Sequence, residues 1–541
     1  MSTPSYHQQE DFKLRNQKLK EIEEMGIDPF PPKFTPTEKA ESLIKKYEGQ
    51  EVGHSEDGAN GSTDSVCVAG RLVLFRAMGK NAFAQIQDDT GRIQVMFNRD
   101  LTEVTGFDRE TNESKPIKFI EKKIDLGDII GIEGHLFRTQ KNELTIYAKK
   151  VTLLCKTVLS LPDKHSGLSD KGVRYRKRYL DLISNQEVKK TFEIRSKIMK
   201  VIRSYFEDAG FLEVETPVLQ NIYGGAEARP FKTHLNALDQ EMFLRISLEI
   251  PLKKLIVGGF DKVFEIGKVF RNEGIDKTHN PEFTEIEAYA SYWDYNDMMT
   301  FIENLCEKIA LDLFGTTKLE FLKEGDEQPT VIDIKAPWKR MSMIESIKTY
   351  GDIDIYAHSD DELRSILKEK GEDDPKDIDQ APRGKLIAML FEAFVEEHLI
   401  QPHHITDHPI ETTPLCKLHR DPKLRKERIV ERFESFIFAN ELANSYTELN
   451  DPVLQRTLLE DQNKKREAGD DEAHPLDEDF IEAICQGMPP CCGVGMGIDR
   501  LVMLLTRQIS IRDVLFFPLM RFDDKPAKPP TKESLNKEQP V

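Results

Sequence analysis

The chain has 541 residues, 39% of them hydrophobic and 32% charged, with a formal net charge of −19 at neutral pH. That length exceeds one ordinary core, and the balance of apolar and charged residues excludes a disordered or fibrous chain. No apolar run is long enough to span a bilayer, and Met1 to Glu10 lacks the charged-then-apolar layout of a signal peptide. Seven scattered cysteines show no paired spacing for zinc and read as reduced thiols, so a cytoplasmic protein without membrane attachment is expected. The acidic balance speaks against a uniformly basic surface for nucleic acid but leaves local patches open. Lys171, Arg174, Arg176, Lys177 and Arg178 form one, readable as a solvated helix start or as an RNA contact.

In chain order, Asp11 to Met25 has helical periodicity (Leu14, Leu19, Ile22, Met25) and ends at Gly26, a favoured C-terminal cap. Asp28 to Pro32 breaks it, and Gly58, Asn60, Gly61 and Ser62 mark a polar loop, so 1–65 is read as a helix plus linker. From 66 to 156 the pattern changes to short β-type runs: Val66–Phe75, Ala82–Gln87, Arg92–Asn98, Ile129–Arg138 and Leu144–Leu154. Turn signals such as Asp88-Asp89-Thr90-Gly91 and Lys141-Asn142 separate them, as in a small five-stranded barrel of the OB type or a generic β-domain. A linker follows over 157–172, with Pro162, Ser166 and Gly167. The larger domain, 173–522, opens with an amphipathic helix from Phe192 to Asp208 and continues as mixed strands and helices without a βαβ rhythm. An acidic helical insertion is expected at about 320–400, and a disordered Lys- and Pro-rich tail over 523–541. The fold class is therefore α+β.

Three separated segments carry the chemistry. In the first, the helix leads through Gly210 into Phe211-Leu212-Glu213-Val214-Glu215-Thr216-Pro217, an apolar helix face and strand suited to an isologous contact. The second is Phe270-Arg271-Asn272-Glu273-Gly274 followed by His279-Asn280-Pro281-Glu282-Phe283-Thr284-Glu285-Ile286-Glu287-Ala288-Tyr289, two β-like runs around a polar loop. Phe283, Glu285, Glu287 and Tyr289 recur every second residue and share one face, which is too polar for a core and suits a site. In the third, Gly493-Val494-Gly495-Met496-Gly497-Ile498-Asp499-Arg500 runs into the apolar helix Leu501 to Leu505; glycines there let backbone approach a nucleotide. In order, these segments resemble motifs 1, 2 and 3 of the class II aminoacyl-tRNA synthetases. The Phe-Arg-Asn-Glu…His-Asn-Pro-Glu-Phe-Thr string is particularly similar to that of the lysine-specific members, and the resemblance runs from about Leu19 to Met520.

The resemblance implies an antiparallel catalytic sheet flanked by helices, a homodimer built on motif 1, and an OB barrel reading the anticodon of tRNA(Lys). It implies that L-lysine and ATP form lysyl-adenylate and pyrophosphate, and that lysine then passes to the 3′ end of the tRNA. By family position, Arg271, Glu273 and Arg500 are the catalytic residues. They bind ATP together with His279, Asn280, Phe283 and Glu434. Lysine falls to Gly225, Glu249, Glu287, Tyr289, Asn444 and Glu448, because an ε-ammonium in a dry pocket requires fixed carboxylates. Magnesium, up to about three ions, is expected at Glu434 and Glu441, across a hairpin turning near Phe438-Ala439-Asn440. The anticodon falls to Arg76, Phe83, Gln94 and Glu143, each also readable as barrel core or ordinary surface. Two positions depart from the family pattern: Glu285, which could perturb the lysine pocket or point into water, and Cys491-Cys492 before the glycines. The cluster His403-His404-Ile405-Thr406-Asp407-His408 admits a zinc reading, but it runs into a Pro-Xaa-Glu-Xaa-Xaa-Pro-Leu segment similar to the family's. An aspartyl or asparaginyl enzyme, or a non-catalytic OB-fold RNA-binding protein, is the alternative.

Overall fold

Alternation of apolar residues along the first β-type runs lets each bury one face and leave the other wet. In the computed structural model, residues 5–50, 52–53, 63–108, 110, 115–162, 168, 170–321, 328–371, 375–470 and 472–521 are described, and the chain divides into units Met1–Gly167 and Leu168–Val541. The expected loop at 58–62, the linker residues 163–167 and the tail from 523 lie outside the described residues.

In the first unit the helix Glu10–Glu24 ends at Gly26, whose φ of 74° is the left-handed conformation glycine adopts freely. Six strands follow: β1 (Val66–Met78), β2 (Asn81–Gln87), β3 (Arg92–Asn98), β4 (Glu103–Val104), β5 (Ile129–Arg138) and β6 (Leu144–Cys155). The order β3-β2-β1-β5-β6, with β3 pairing back to β6 in parallel, closes the five long strands into a barrel, and β4 is a two-residue addition on β6. The Asp88 turn forms because its carboxylate accepts from the Thr90 and Gly91 amides at 2.8 and 2.9 Å. The helix Pro116–Lys123, between β3 and β5, is a feature that the strand pattern did not reveal.

The second unit is built on an eight-stranded sheet. Its strands in chain order are β7 (Leu212–Glu213), then the small separate sheet β8 (Leu219–Gln220), β9 (Lys232–Leu235) and β10 (Gln240–Leu244), then β11 (Lys262–Phe270) and β12 (Glu282–Ser291). A hairpin β13 (Lys318–Phe321) and β14 (Thr330–Asp333) precedes β15 (Lys339–Ser342), β16 (His403–Pro409), β17 (Ile429–Ile437), β18 (Asn440–Thr447) and β19 (Cys491–Gly497). The main order is β15-β16-β17-β18-β19-β12-β11-β7, antiparallel except at the pairs β15–β16 and β7–β11. The expectation of a helical insertion over 320–400 is corrected in its first part. Residues 318–342 supply three strands, one of them in the main sheet, and the helices begin only at Met343.

One sheet face is covered by the helices Gln186–Asp208, Tyr295–Phe314 and Ile498–Thr506, which share a core with Phe264, Ile286, Ala288 and Ala290. The opposite face is the one that carries Phe283, Glu285, Glu287 and Tyr289. The motif 1 helix is held at its start by Arg178, which is buried rather than solvated. Arg178 pairs with Asp181 at 2.9 Å and donates to the carbonyls of Arg512 and Leu515, so this member of the basic patch is a structural anchor and not an RNA contact. Phe206 is completely buried, with the rings of Phe211, Phe264 and Phe301 about it at 5.0 to 5.1 Å. Phe206→Ala should cost about 3–5 kcal/mol. Both tryptophans, Trp293 and Trp338, lie in this unit, so a lowered urea midpoint in tryptophan fluorescence reads the loss there.

Candidate active site

Pairing of β12 with β19 creates the site. Tyr289 lies opposite Gly493, Glu287 opposite Gly495 and Glu285 opposite Gly497, so three long side chains on one strand face three residues without any. The space left is a cavity of about 400 Å³ lined by residues of both strands, of β18 and of the motif 2 loop. Arg271, Glu273, His279, Asn280, Phe283, Glu285, Glu287, Tyr289, Gly225, Glu249, Glu434, Glu441, Asn444 and Arg500 all border it. Of the expected site residues in this unit only Glu448 does not. It lies behind Gly493, completely buried.

At one end the guanidinium of Arg271 sits over the Phe283 ring at 5.1 Å. Arg500 donates to the Glu441 carbonyl at 2.9 Å and lies 2.9 Å from His279 Nε2, so motif 3 touches the motif 2 loop directly. Asn280 is buried, its amide donates to the Glu282 carbonyl at 2.6 Å, and its Oδ1 has no partner. Asp499, at the cavity's edge, serves the fold. It pairs with Arg195 of the motif 1 helix at 2.5 Å and accepts from the Thr284 amide at 2.7 Å, which ties all three motifs through one buried carboxylate.

At the other end the carboxylates gather. Glu287 accepts from the Ser247 hydroxyl and the Leu248 amide, both at 2.6 Å, and from the Tyr289 hydroxyl at 3.0 Å. Burial, with Glu285 and Glu249 nearby, pushes its pKa up to about 8. Glu249 is the first residue of the helix Glu249–Val257 and accepts from the Tyr446 hydroxyl at 2.8 Å. Tyr446, Ser247 and Arg432 were not expected here; they sit two residues from Glu448, Glu249 and Glu434, positions a strand or helix start brings to the same wall. Gly225 has a φ of 87°, and a Cβ there would meet Ser247 Oγ at 2.6 Å, so only glycine leaves its backbone open to the cavity.

Glu434 and Glu441 lie on adjacent strands β17 and β18, joined at Phe438-Ala439, both with positive φ. They are not directly opposed, since Glu441 pairs with Phe436 and Glu434 with Asn444, but a bulge after Ser435 turns both toward the cavity. Each carries an arginine: Arg432 at 2.6 Å from Glu434 and Arg500 at 3.3 Å from Glu441. Arg432 also donates to Asn444 Oδ1 at 3.1 Å. Two cavity-facing carboxylates fit a hard cation that keeps most of its waters.

Glu285 points into the cavity, not into water. Its Oε2 is buried without a hydrogen-bond partner, and burial raises its pKa against the pull of Arg271. Cys491 and Cys492 are fully buried, as small interior side chains. The histidines do not form a metal site. His404 contacts Ser435 and Glu303, His403 the Gln401 carbonyl and His408 the Ile405 carbonyl, and among the described residues no cluster of three or more ligand residues suits a metal.

On the barrel, Arg76 pairs across from Phe83, and Phe83 from Met96 on β3, two residues from Gln94. Gln94 donates to Thr145 Oγ1 at 2.8 Å and borders a groove with Glu143, Arg92 and Arg138. Phe83 packs against the Met96, Phe137 and Tyr147 cluster. The four expected barrel residues thus lie along β1, β2, β3 and the turn before β6.

The glycine register yields a test. A Cβ at Gly493 would overlap the Tyr289 ring and Glu448 Oε1, both fixed in the interior, whereas at Gly495 its one tight neighbour would be the Glu285 carboxylate at 3.0 Å, with Glu287 Cγ at an ordinary 3.7 Å. Gly493→Ala should cost about 1–3 kcal/mol and Gly495→Ala clearly less, compared by thermal unfolding of the two variants.

A family model described as tRNA synthetases class II (D, K and N) matches residues 170–521, and one for an OB-fold nucleic acid binding domain matches 66–154. Among curated relatives, a lysine--tRNA ligase of Chlamydia caviae is 59% identical over 96% of this chain and 99% of its own length. One of Chlamydia felis is 58% identical over 95% and 98%, and one of Halalkalibacterium halodurans is 45% identical over 95% and 97%. Matched in both units and along nearly its full length, the chain belongs to the class II tRNA synthetases, in the group of the lysine--tRNA ligases.

Proposed function

We infer that the protein is an ATP-dependent lysine--tRNA ligase. The observation that carries the reading is the cavity with an arginine and an aromatic ring at one end and buried carboxylates at the other. An ATP end and an ammonium-binding end meet there within one space, and the relatives are lysine--tRNA ligases.

In this reading Phe283 stacks on adenine, Glu273, His279 and Asn280 contact the nucleotide, and Arg271 and Arg500 hold its phosphates. Glu287 and the Gly225 backbone hold the α-amino group, with Asn444 on the same wall. Glu249, Glu448 and the Tyr289 hydroxyl receive the ε-ammonium. The lysine carboxylate attacks the α-phosphorus in line; the bond to the bridging oxygen breaks and pyrophosphate leaves with its electron pair. The 3′-hydroxyl of the tRNA's terminal adenosine then attacks the adenylate carbonyl, and AMP departs. No protein nucleophile is needed. Positioning and charge stabilisation supply the rate. Glu434 and Glu441 would hold Mg²⁺, which when bound neutralises phosphate oxygens.

The barrel residues Arg76, Phe83, Gln94 and Glu143 contact the anticodon, and the motif 1 helix and strand form a homodimer interface. Leu212, Val218 and Leu219 are large apolar residues left exposed along that strand, as a second copy would require. All seven cysteines are free, which suits the cytoplasm, and among the described residues no helix is long and apolar enough to cross a membrane. The aspartyl alternative fails on charge, because Glu249 and Glu448 repel a side-chain carboxylate, and the asparaginyl one because a neutral amide supplies no cation to those two buried carboxylates. The non-catalytic alternative is disfavoured by the retained Arg271, Glu287 and Arg500.

Pyrophosphate exchange assayed with each of the twenty amino acids should proceed with lysine alone; exchange with aspartate would sink the assignment. The raised pKa of Glu287 adds a second expectation. Near pH 7 its carboxyl is mostly protonated, and an α-ammonium placed against it favours the charged form. Lysine binding should therefore release a proton near neutrality and progressively less above about pH 9, where the carboxyl is already ionised. Calorimetry in buffers of different ionisation heat measures this, and buffer-independent heats at pH 7 would count against Glu287 in that role.

A further inference from the structure

Under the carboxylate end of the cavity lies a cation that the three motifs do not account for. Lys253 stands one turn after Glu249 on the same helix, and its side chain is completely buried without reaching the cavity. Its ammonium donates to Glu249 Oε1 and lies 2.5 Å from Glu448 Oε2. The rings of Tyr446 and Phe480 flank it at 5.5 and 5.7 Å. Burial alone would pull its pKa down, but Glu249 and Glu448 more than offset that and hold the ammonium charged. Neither Glu448 oxygen accepts a well-directed hydrogen bond, and only Oε2 has the ammonium beside it. Glu448 Oε1 is buried, has no hydrogen-bond partner and lies against Gly493, which lines the cavity. A carboxylate oxygen is not left dry and undonated without cost unless a ligand completes it.

We propose that Lys253 is a positioning residue for amino-acid selection: a built-in cation that cancels one of two buried carboxylates, so that a single substrate ammonium at Glu448 Oε1 completes the site. The proposal rests on the reading of Glu249 and Glu448 as partners of the ε-ammonium. In the bound state two carboxylates meet two cations, one fixed and one delivered by the substrate. Without the substrate, burial and the nearby Glu249 raise the pKa of Glu448 well above the usual carboxylate range against the pull of Lys253, so the dry site relieves its excess negative charge with a proton that a substrate ammonium displaces. An uncharged side chain of lysine's length leaves one carboxylate uncompensated, which is a penalty built against the wrong substrate.

Counting charges predicts that a second substitution repairs the first. Glu448→Gln leaves Lys253 and the substrate ammonium sharing one carboxylate and should raise the KM for lysine in pyrophosphate exchange by about a hundredfold. Adding Lys253→Met restores one carboxylate to one ammonium, and KM for lysine should fall back by about tenfold, while KM for ATP stays within about twofold. Glu249→Gln with and without Lys253→Met is a parallel pair expected to behave alike, and it is read if the first pair does not fold. A lysine that merely fills space predicts the reverse, a double variant no better than its single parent; that result overturns the proposal. If neither Glu448→Gln nor Glu249→Gln moves the KM for lysine, the reading of the carboxylates themselves is overturned instead.

Discussion

The alignment of β12 against β19 is the constraint on which the rest of the catalytic unit depends. In an antiparallel pair, directly opposed residues sit close enough that two large side chains on one face compete for the same space. Here every pocket-facing residue of β12 from Glu285 to Tyr289 is met by a glycine. A slip by one residue would send the carboxylates into the apolar layer of Ile286 and Ala288 and bring Val494 and Met496 into the cavity. The alternation of Glu-Ile-Glu-Ala-Tyr against Gly-Val-Gly-Met-Gly therefore specifies the register and hollows the site at once.

Such a concentration of carboxylates around one cavity must be held by something. Glu287 is held only by neutral donors, which lower its pKa too little to offset burial and the nearby Glu285 and Glu249, so that it rises. Glu434 and Glu441 lean on Arg432 and Arg500, while Glu249 and Glu448 share Lys253. Asp499 works differently. Its contacts to Arg195 and the Thr284 amide join the helix, strand and glycine segments into one body. The rigidity of the first set depends on the second, because ligand-facing charges keep useful positions only when the strands bearing them cannot shift.

An acidic chain with a nucleic-acid-binding module also shows why net charge is a weak guide. The chain carries −19 overall, yet the barrel groove is bordered by Arg92 and Arg138 as well as by Glu48 and Glu143, so it is locally balanced and not acidic. Conversely, part of the most conspicuous basic run in the sequence serves the fold, with Arg178 buried against carbonyls near the end of the described chain.

What the sequence by itself determined was everything with a short period or a fixed order. The barrel strands, the motif 1 helix, the shared face of Phe283, Glu285, Glu287 and Tyr289, and the glycine run were legible because side-chain direction repeats every two or 3.6 residues. The resemblance of three ordered segments extended that to the family. Only the tertiary structure decided which residues far apart along the chain become partners. Lys253 reads locally as an ordinary helix lysine, and its pairing with Glu448 spans nearly two hundred positions. The direction of Glu285 into the cavity, the burial of Arg178 and the offset of Glu434 from Glu441 by a bulge are of the same kind. Local pattern says which way a side chain leaves its own backbone; what it meets there is settled by packing with elements that the pattern does not contain.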